Sequence, residues 1–168
     1  PYKLLNVTFG GSGYDIAAAN NDHPIIFTKK ENQSVSKKQL IDWDFRDHLF
    51  FVHLNKKQNS RDSIASYRKV LKSKIIQIQK INELTIALCN CNSLTEFKNL
   101  ITRHEKIVSN IIQQKPIKEV LFKNYHGGIK SLGAWGGDFI LATGNEEDHQ
   151  YFKNKGFNTI IPFGKMIL

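Results

Sequence analysis

Four short runs of β-branched and aromatic residues, separated by longer amphipathic stretches, limit the folds that this chain can adopt. Such runs are typical of strands, and they cover Ile25–Thr28, Phe50–Leu54, Phe139–Thr143 and Thr159–Phe163. Short strands interleaved with amphipathic helices favour a sheet with helices packed against it. The sequence therefore predicts an α+β fold in which helices cover one face of the sheet and the other face is open to a partner.

The stretches between these runs carry helix patterns. Between Ser60 and Lys80, apolar residues recur at intervals of three and four, which places them on one helix face. A second helix is predicted to begin at Ser93, because Ser93 and Glu96 have the spacing of a capping box. A third follows Asn145, with acidic residues in its first turn, lysines in its last and Gly156 as its end.

Composition favours a single globular domain over residues 1–168. The chain has a mass of 19.3 kDa and is 40% hydrophobic, which is enough for a packed core. It contains neither an apolar run of the roughly 20 residues that cross a bilayer nor a signal peptide. We therefore expect a cytosolic protein without a membrane partner. No initiator Met precedes Pro1, so these residues are either a processed product or, as we expect, part of a longer protein.

The net charge of +9 and the pI near 9.5 favour an anionic partner, either a nucleic acid or a phosphorylated small molecule. The lysines are spread over many short segments, without a dense stripe and without interleaved aromatic residues. This distribution favours a small molecule over a nucleic acid. A basic nucleic-acid-binding module stays as the least favoured alternative.

The cysteines and histidines do not form a metal-binding pattern. Cys89 and Cys91 lie one residue apart in an apparently helical stretch, where a disulfide framework is implausible and two thiols are too few ligands for zinc. The six histidines show no His-x-x-x-His or His-Glu-x-x-His spacing. We therefore expect reduced thiols and no metal site built from protein side chains alone.

A first glycine-rich segment, Gly10–Ala19, places flexible backbone and the Ser12 hydroxyl before Asp15 and a small-residue helical turn. Such a turn can present Asp15 at the mouth of a pocket, where its carboxylate would remove or orient the proton of a substrate hydroxyl. The alternative interpretation is that Asp15 is the N-cap of an ordinary helix after a glycine turn.

A second glycine-rich segment, Lys130–Asp138, precedes the predicted strand at Phe139. Its three glycines allow positive φ angles and a close approach of the backbone to a ligand, and consecutive N–H groups in such a loop can bind an anion. The alternative is a tight turn that makes room for Trp135. Neither segment has the spacing of a dinucleotide-binding or a Walker-type loop.

Taken together, the two segments resemble motifs of the GHMP kinases. Gly11–Ala19 is similar to the Gly-Ser-Gly-Phe/Tyr-Asp segment of phosphomevalonate kinases, in the branch named for Gly-Tyr-Asp-Ile-Ala, and Ser131–Asp138 is similar to the third glycine-rich motif. The resemblance implies a ferredoxin-like C-terminal domain with a split β-α-β arrangement. It implies ATP and Mg²⁺ as cofactors and a small metabolite, such as mevalonate or phosphomevalonate, as the phosphoryl acceptor.

The resemblance also assigns roles to individual residues. It nominates Asp15 as the catalytic base or orienting group. It nominates a second set as substrate-binding or phosphate-binding residues: Ser12, Gly13, Lys130, Gly133, Ala134, Gly136, Gly137 and Asp138.

The chain departs from the family in one respect. It contains no Pro-x-x-x-Gly-Leu-x-Ser-Ser-Ala segment, whose backbone and following helix N-terminus hold the ATP phosphates in these kinases. We therefore expect an N-terminal kinase domain as partner and no kinase activity from these residues alone. The alternative is a non-catalytic ligand-binding or interaction domain that has kept the fold.

Overall fold

The computed structural model describes residues 12–29, 33–56, 75–133, 135 and 137–167. Contacts divide the chain into two compact units, Pro1–Asp42 with Leu168, and Trp43–Ile167. Whether the two make up a single domain, as composition suggests, stays a prediction. Within the described part of the chain, no helix has the length and apolar character needed to cross a membrane.

The first unit contains a short helix and a β-hairpin. Helix α1 (Tyr14–Ala19) precedes strands β1 (Ile25–Lys29) and β2 (Ser34–Lys38), which pair antiparallel with Ile25 opposite Lys38. The rings of Tyr14 and Phe27 meet edge to face, with 6.0 Å between centroids, so α1 packs on β1. The structure confirms the strand predicted at residues 25–28.

The second unit is built on a four-stranded sheet. Its strands are β3 (Leu49–His53), β4 (Ile129–Ser131), β5 (Phe139–Thr143) and β6 (Ile160–Pro162), in the order β4-β5-β3-β6 with every neighbouring pair antiparallel. Because β3 and β4 are each antiparallel to β5, they run parallel to one another with β5 between them. This is the split β-α-β arrangement of a ferredoxin-like fold, which confirms the predicted fold class.

Helical segments connect these strands. A 3₁₀ turn precedes β3, and a helical hairpin and a short helix lie between β3 and β4. A second 3₁₀ turn and a helix lie between β5 and β6, and one helical turn follows β6. In chain order, those within the described ranges are the 3₁₀ turn Arg46–His48, α2 (Ile75–Asn90), α3 (Leu94–Ile112), α4 (Ile117–Leu121), the 3₁₀ turn Glu146–Asp148, α5 (His149–Lys153) and α6 (Phe163–Met166). Of the helix predicted over 60–80, residues 75–80 are helical and the others lie outside the described residues.

Side chains cap two of the helical starts, of which the sequence predicts the cap at Ser93. At α3, the Ser93 hydroxyl accepts a hydrogen bond from the Glu96 N–H at 3.2 Å, but the Glu96 carboxylate accepts from the Asn92 N–H instead of the Ser93 N–H. The predicted capping box is therefore only half formed. Before α5, Asn145 and Asp148 make both reciprocal bonds, and Gly156, with φ 87°, ends the segment as predicted.

The core lies on both faces of the sheet. Phe50 and Val52 of β3 face a cluster that includes Phe122 and Phe152, whereas the alternate β3 residues Leu49 and Phe51 face Phe97, Leu100 and Ile101. The expectation of one open face is wrong, because α5 and the segment after α4 cover the second face. The unbroken apolar run of β3 is typical of a strand buried on both sides.

The turn before β4 packs closely against the end of β5. The Tyr125 hydroxyl donates to the Thr143 carbonyl oxygen, and the Gly128 N–H donates to the Thr143 hydroxyl, each at 2.7 Å. A Cβ atom added at Gly127 would overlap the same Thr143 carbonyl oxygen. Gly127 is therefore required by close approach of the two backbones.

Replacing Gly127 with alanine is expected to lower the free energy of unfolding by about 2 kcal/mol or more, because the backbone must shift to relieve the overlap. Urea unfolding followed by circular dichroism measures this change. Gly164→Ala is the matched control, since nothing lies within 4 Å of the added Cβ atom there. It should stay within about 0.5 kcal/mol of the parent. Equal stability of the two variants would contradict this account of the turn.

Candidate functional site

The second glycine-rich segment is the loop of the β4–β5 hairpin. Ser131 pairs with Ile140, and the Leu132 N–H donates to the Phe139 carbonyl oxygen at 3.1 Å. The loop therefore spans residues 132–138 and joins the edge strand β4 to an inner strand of the sheet. The structure places the segment directly before the strand at Phe139, as the sequence predicts.

The structure describes two glycines of this loop, Gly133 and Gly137, and only Gly133 has a positive φ angle. Gly133 is exposed, has φ 59° and has no atom within 4 Å of an added Cβ, so its φ angle and not crowding favours glycine. Its N–H donates to no residue that the structure describes. Gly137 is buried. Ala134 and Gly136, which were also predicted to bind phosphate, lie outside the described residues.

Asp138 anchors the far end of the loop. It has φ 53°, in the left-handed region that few residues other than glycine adopt. Its N–H donates to the Lys56 carbonyl oxygen and its own carbonyl oxygen accepts from the Leu54 N–H, each at 2.7 Å. These two bonds hold the loop to the chain that follows β3. The Asp138 side chain is half-buried beside the loop.

A buried carboxylate that sequence reasoning missed lies beneath the loop. Glu105 of α3 is 4% exposed. Its Oε2 accepts from the Ser131 hydroxyl at 2.9 Å, and its Oε1 accepts from the Trp135 Nε1–H at 3.4 Å. A signal was present, since Glu105 continues the four-residue spacing of Phe97 and Ile101 along the buried side of the helix.

Lys130 completes this cluster. Its Nζ lies 3.6 Å from Glu105 Oε1 and donates to the Ser131 carbonyl oxygen at 3.1 Å. Burial lowers the pKa of Lys130 and raises the pKa of Glu105, and the attraction between the two charges opposes both shifts. Lys130 was predicted to contact the substrate. The structure places its ammonium against Glu105, and the substrate contact stays a prediction.

His104, next to Glu105 on α3, is held neutral. Burial lowers its pKa from 6.5 to about 4, and the charge of Lys130 acts in the same direction. Its buried Nδ1 has no hydrogen-bond partner among the described residues. A proton taken up at this position would therefore disfavour the folded state.

We expect His104 to make stability fall as the pH drops from about 6.5 to about 4, because the unfolded chain binds a proton in that window and the folded chain does not. The His104→Gln variant should lose less unfolding free energy than the parent between about pH 7 and pH 4.5 in urea titrations. Glu105, whose raised pKa gives the opposite slope, is present in both proteins and cancels in the difference. Parallel pH profiles would contradict a neutral, buried His104.

The first glycine-rich segment starts α1. The N-cap is Gly13, buried and with φ 84°, and the Ser12 hydroxyl accepts from the Tyr14 N–H at 3.2 Å. Asp15 is the second helical residue, so the interpretation of Asp15 as the N-cap is wrong. The Asp15 side chain is exposed in the first turn of α1, where a negative charge is favourable. Its carboxylate is accessible to a ligand.

The candidate residues fall into two groups. Ser12, Gly13 and Asp15 lie together in the first unit, and Lys130, Gly133, Gly137 and Asp138 lie in and beside one hairpin loop in the second. The residues of each group are near neighbours along the chain and lie in the same unit. An active site that combines both groups stays a prediction.

Metal ligands and cavities do not mark another catalytic centre in the described part of the chain. No group of three or more His, Cys, Asp or Glu side chains there could hold a metal ion. Cys89 and Cys91 are free thiols, and burial raises the pKa of both, that of Cys91 to about 11. A groove of about 540 Å³ lies between α2 and α3 over Leu84 and Leu100, and none of the candidate residues lines it.

Comparison with known proteins finds similarity at the level of structure. The sequence matches no protein-family model and no curated protein. Among solved structures, the chain is similar to the crystal structure of L. major mevalonate kinase in complex with R-mevalonate, with a TM-score of 0.63 and 14% sequence identity. The similarity covers 86% of this chain and 48% of that chain, so this chain spans about half the length of the kinase. The likeness lies in the fold, an α+β architecture with antiparallel sheets packed against helices.

Proposed function

We propose that these residues form the C-terminal part of an ATP-dependent GHMP-type small-molecule kinase, which transfers a phosphoryl group to a hydroxyl or phosphate of a small metabolite. The observation that carries the proposal is the 132–138 loop, held at the edge of a split β-α-β sheet with its glycines before β5. The fold likeness to L. major mevalonate kinase supports it.

In this proposal the hairpin loop binds phosphate. Gly133 is exposed and has a φ angle in the left-handed region. Gly137 and Asp138 continue the loop towards the sheet. Backbone N–H groups in such a loop attract an anion. Ala134 and Gly136 would contribute further N–H groups, and Ser12 and Gly13 would shape the approach to Asp15.

Asp15 would act on the acceptor. Its exposed carboxylate, at the start of a short helix, would accept or orient the proton of the substrate hydroxyl while the γ-phosphoryl group is transferred. A mevalonate-like hydroxy acid or its phosphate is the acceptor class that the fold likeness suggests.

ATP and Mg²⁺ fit the described residues in part. The loop suits a phosphate group, whereas the segment that would hold the remaining ATP phosphates is absent from this sequence. Mg²⁺ bound with a nucleotide is usually held mainly by phosphate oxygens, and in this proposal Asp138, beside the loop, would be the nearby carboxylate. An N-terminal kinase domain would therefore supply the other half of the nucleotide site.

Titration of the ¹⁵N-labelled chain with phosphomevalonate, and with mevalonate for comparison, tests the loop assignment. The proposal predicts larger amide shifts at Gly133 and Gly137 with the phosphorylated ligand than with mevalonate. The exposed residues Ile76 and Ile86 of α2, which belong to neither candidate group, serve as an internal reference that should not move. Shifts confined to residues outside the loop, or no shifts with phosphomevalonate, would contradict phosphate binding by this hairpin.

A further inference from the structure

The position of Glu105 in α3 is unusual for a carboxylate. Along the buried side of the helix, Phe97 is 2% exposed, Ile101 is 0% exposed and Glu105 is 4% exposed. Removing a carboxylate from water is costly unless hydrogen bonds and an opposite charge compensate. A leucine at this position would continue the apolar stripe without that cost, so the packing of α3 alone does not explain Glu105.

Every partner of Glu105 among the residues that the structure describes belongs to the β4–β5 hairpin. Ser131 is the last residue of β4, Trp135 lies in the middle of the loop, and Lys130 precedes both. One carboxylate thus ties the start and the centre of the loop to a helix, through one oxygen for Ser131 and the other for Trp135 and Lys130. At the far end, Asp138 is tied separately to the chain after β3.

We infer that Glu105 is the positioning residue of the glycine-rich loop: its buried carboxylate fixes Ser131 and Trp135, and so holds the loop backbone in the geometry that receives a phosphate. The inference rests on the proposed function in one respect, namely that the loop binds phosphate. In this role Glu105 acts through the loop and not directly on the phosphate. A loop held in its bound geometry loses less conformational entropy on binding, which strengthens affinity.

Two substitutions separate positioning from packing. Glu105→Leu suits the apolar stripe but removes both acceptor oxygens, so Ser131 and Trp135 lose their partner. Glu105→Gln keeps one acceptor oxygen and is the conservative variant. If Glu105 were only a packing residue, leucine would be the better replacement and the loop would be unchanged.

The first readout needs no ligand. The chain contains two tryptophans, Trp43 and Trp135, so a Trp43→Phe background leaves a single indole N–H signal in a ¹H–¹⁵N spectrum. We expect Glu105→Leu to move this signal and the Gly133 amide signal and to speed their exchange with water. Glu105→Gln should give a smaller change, and the exposed control Glu83→Gln on α2 none.

The second readout is affinity for inorganic pyrophosphate, measured by titration of the same amides. Losing the hydrogen bonds to Ser131 and Trp135 should weaken binding about tenfold or more in Glu105→Leu, with Glu105→Gln in between and Glu83→Gln equal to the parent. If Glu105→Leu does not fold, Ser131→Ala removes a single hydroxyl donor to Glu105 and leaves the carboxylate in place. It should shift the Gly133 amide and weaken pyrophosphate binding in the same way.

Unchanged indole and Gly133 signals in Glu105→Leu, or a displaced loop with unchanged pyrophosphate affinity, would overturn the positioning role. If the parent chain does not bind pyrophosphate, the loop assignment in the proposed function fails, and the ligand-free signals alone decide whether Glu105 holds the loop. A folded Glu105→Leu variant with a displaced loop and weakened binding, partly rescued by glutamine, supports the inference.

Discussion

The Asp15→Asn variant of the full-length protein is expected to lower kcat by about 100-fold or more, the usual contribution of a general base. Asparagine keeps the size of the side chain but cannot accept the proton of the substrate hydroxyl. Because Asp15 is exposed, its loss should change the free energy of unfolding by less than about 0.5 kcal/mol. ADP release in a coupled assay at saturating ATP and acceptor measures the effect.

Asp42→Asn is the matched control for this experiment, because it removes the same charge from another exposed position in the first unit. Its kcat should stay within about twofold of the parent. A full-length Asp15→Asn variant that turns over as fast as the parent would exclude Asp15 as the base. This result would not bear on the separate proposal that the 132–138 loop binds phosphate.

Replacing Phe122 with alanine is expected to lower the free energy of unfolding by about 3–5 kcal/mol, the range for a fully buried phenylalanine. Phe122 is 0% exposed, and its ring lies 5.1 Å from that of Phe152 and 5.3 Å from that of Phe157. Deleting the ring leaves a cavity on the face of the sheet that α5 covers. Urea or thermal unfolding of the chain measures the loss.

The neighbouring Val120, on α4, provides the control. It is 58% exposed, so Val120→Ala should cost less than about 1 kcal/mol. Similar losses for the two variants would mean that the aromatic cluster is not the core of this face.

The elements that the sequence predicts well are those with strong local signals. The β5 strand has the predicted bounds, β3 begins one residue early, and α3 begins after the predicted Ser93 cap. Each combines a dense apolar run or a capping residue with burial, so local preference and tertiary packing agree. The split β-α-β arrangement that the resemblance implies is also confirmed.

The elements that sequence reasoning missed have weak local signals. Strand β2 consists of exposed Ser-Val-Ser-Lys-Lys, and β4 has three residues with Lys130 at its centre. Neither shows the alternation of apolar and polar residues that marks a half-buried strand. Their pairing with β1 and β5 determines them, and a partner strand is not visible in a local window.

The residues of the candidate site also divide into those with a strong local sequence signal and those without one. Glycines and Asp15 could be nominated from their spacing, because loops with such residues have recognisable chemistry. Glu105 could not be assigned from spacing alone, since its meaning depends on Ser131 and Trp135, which lie 26 and 30 residues further along the chain. In the local sequence, such a contact is indicated only by an acidic residue within an otherwise apolar helix stripe.

ATP-dependent phosphoryl transfer by the full-length protein tests the central claim most directly. Purified full-length protein is incubated with ATP, Mg²⁺ and either mevalonate or phosphomevalonate, and the phosphorylated product is followed by ³¹P NMR, with residues 1–168 alone in parallel. The proposal predicts product from the full-length protein with at least one of these acceptors and none from residues 1–168. A folded full-length protein that phosphorylates neither acceptor, or turnover by residues 1–168 alone, would contradict it.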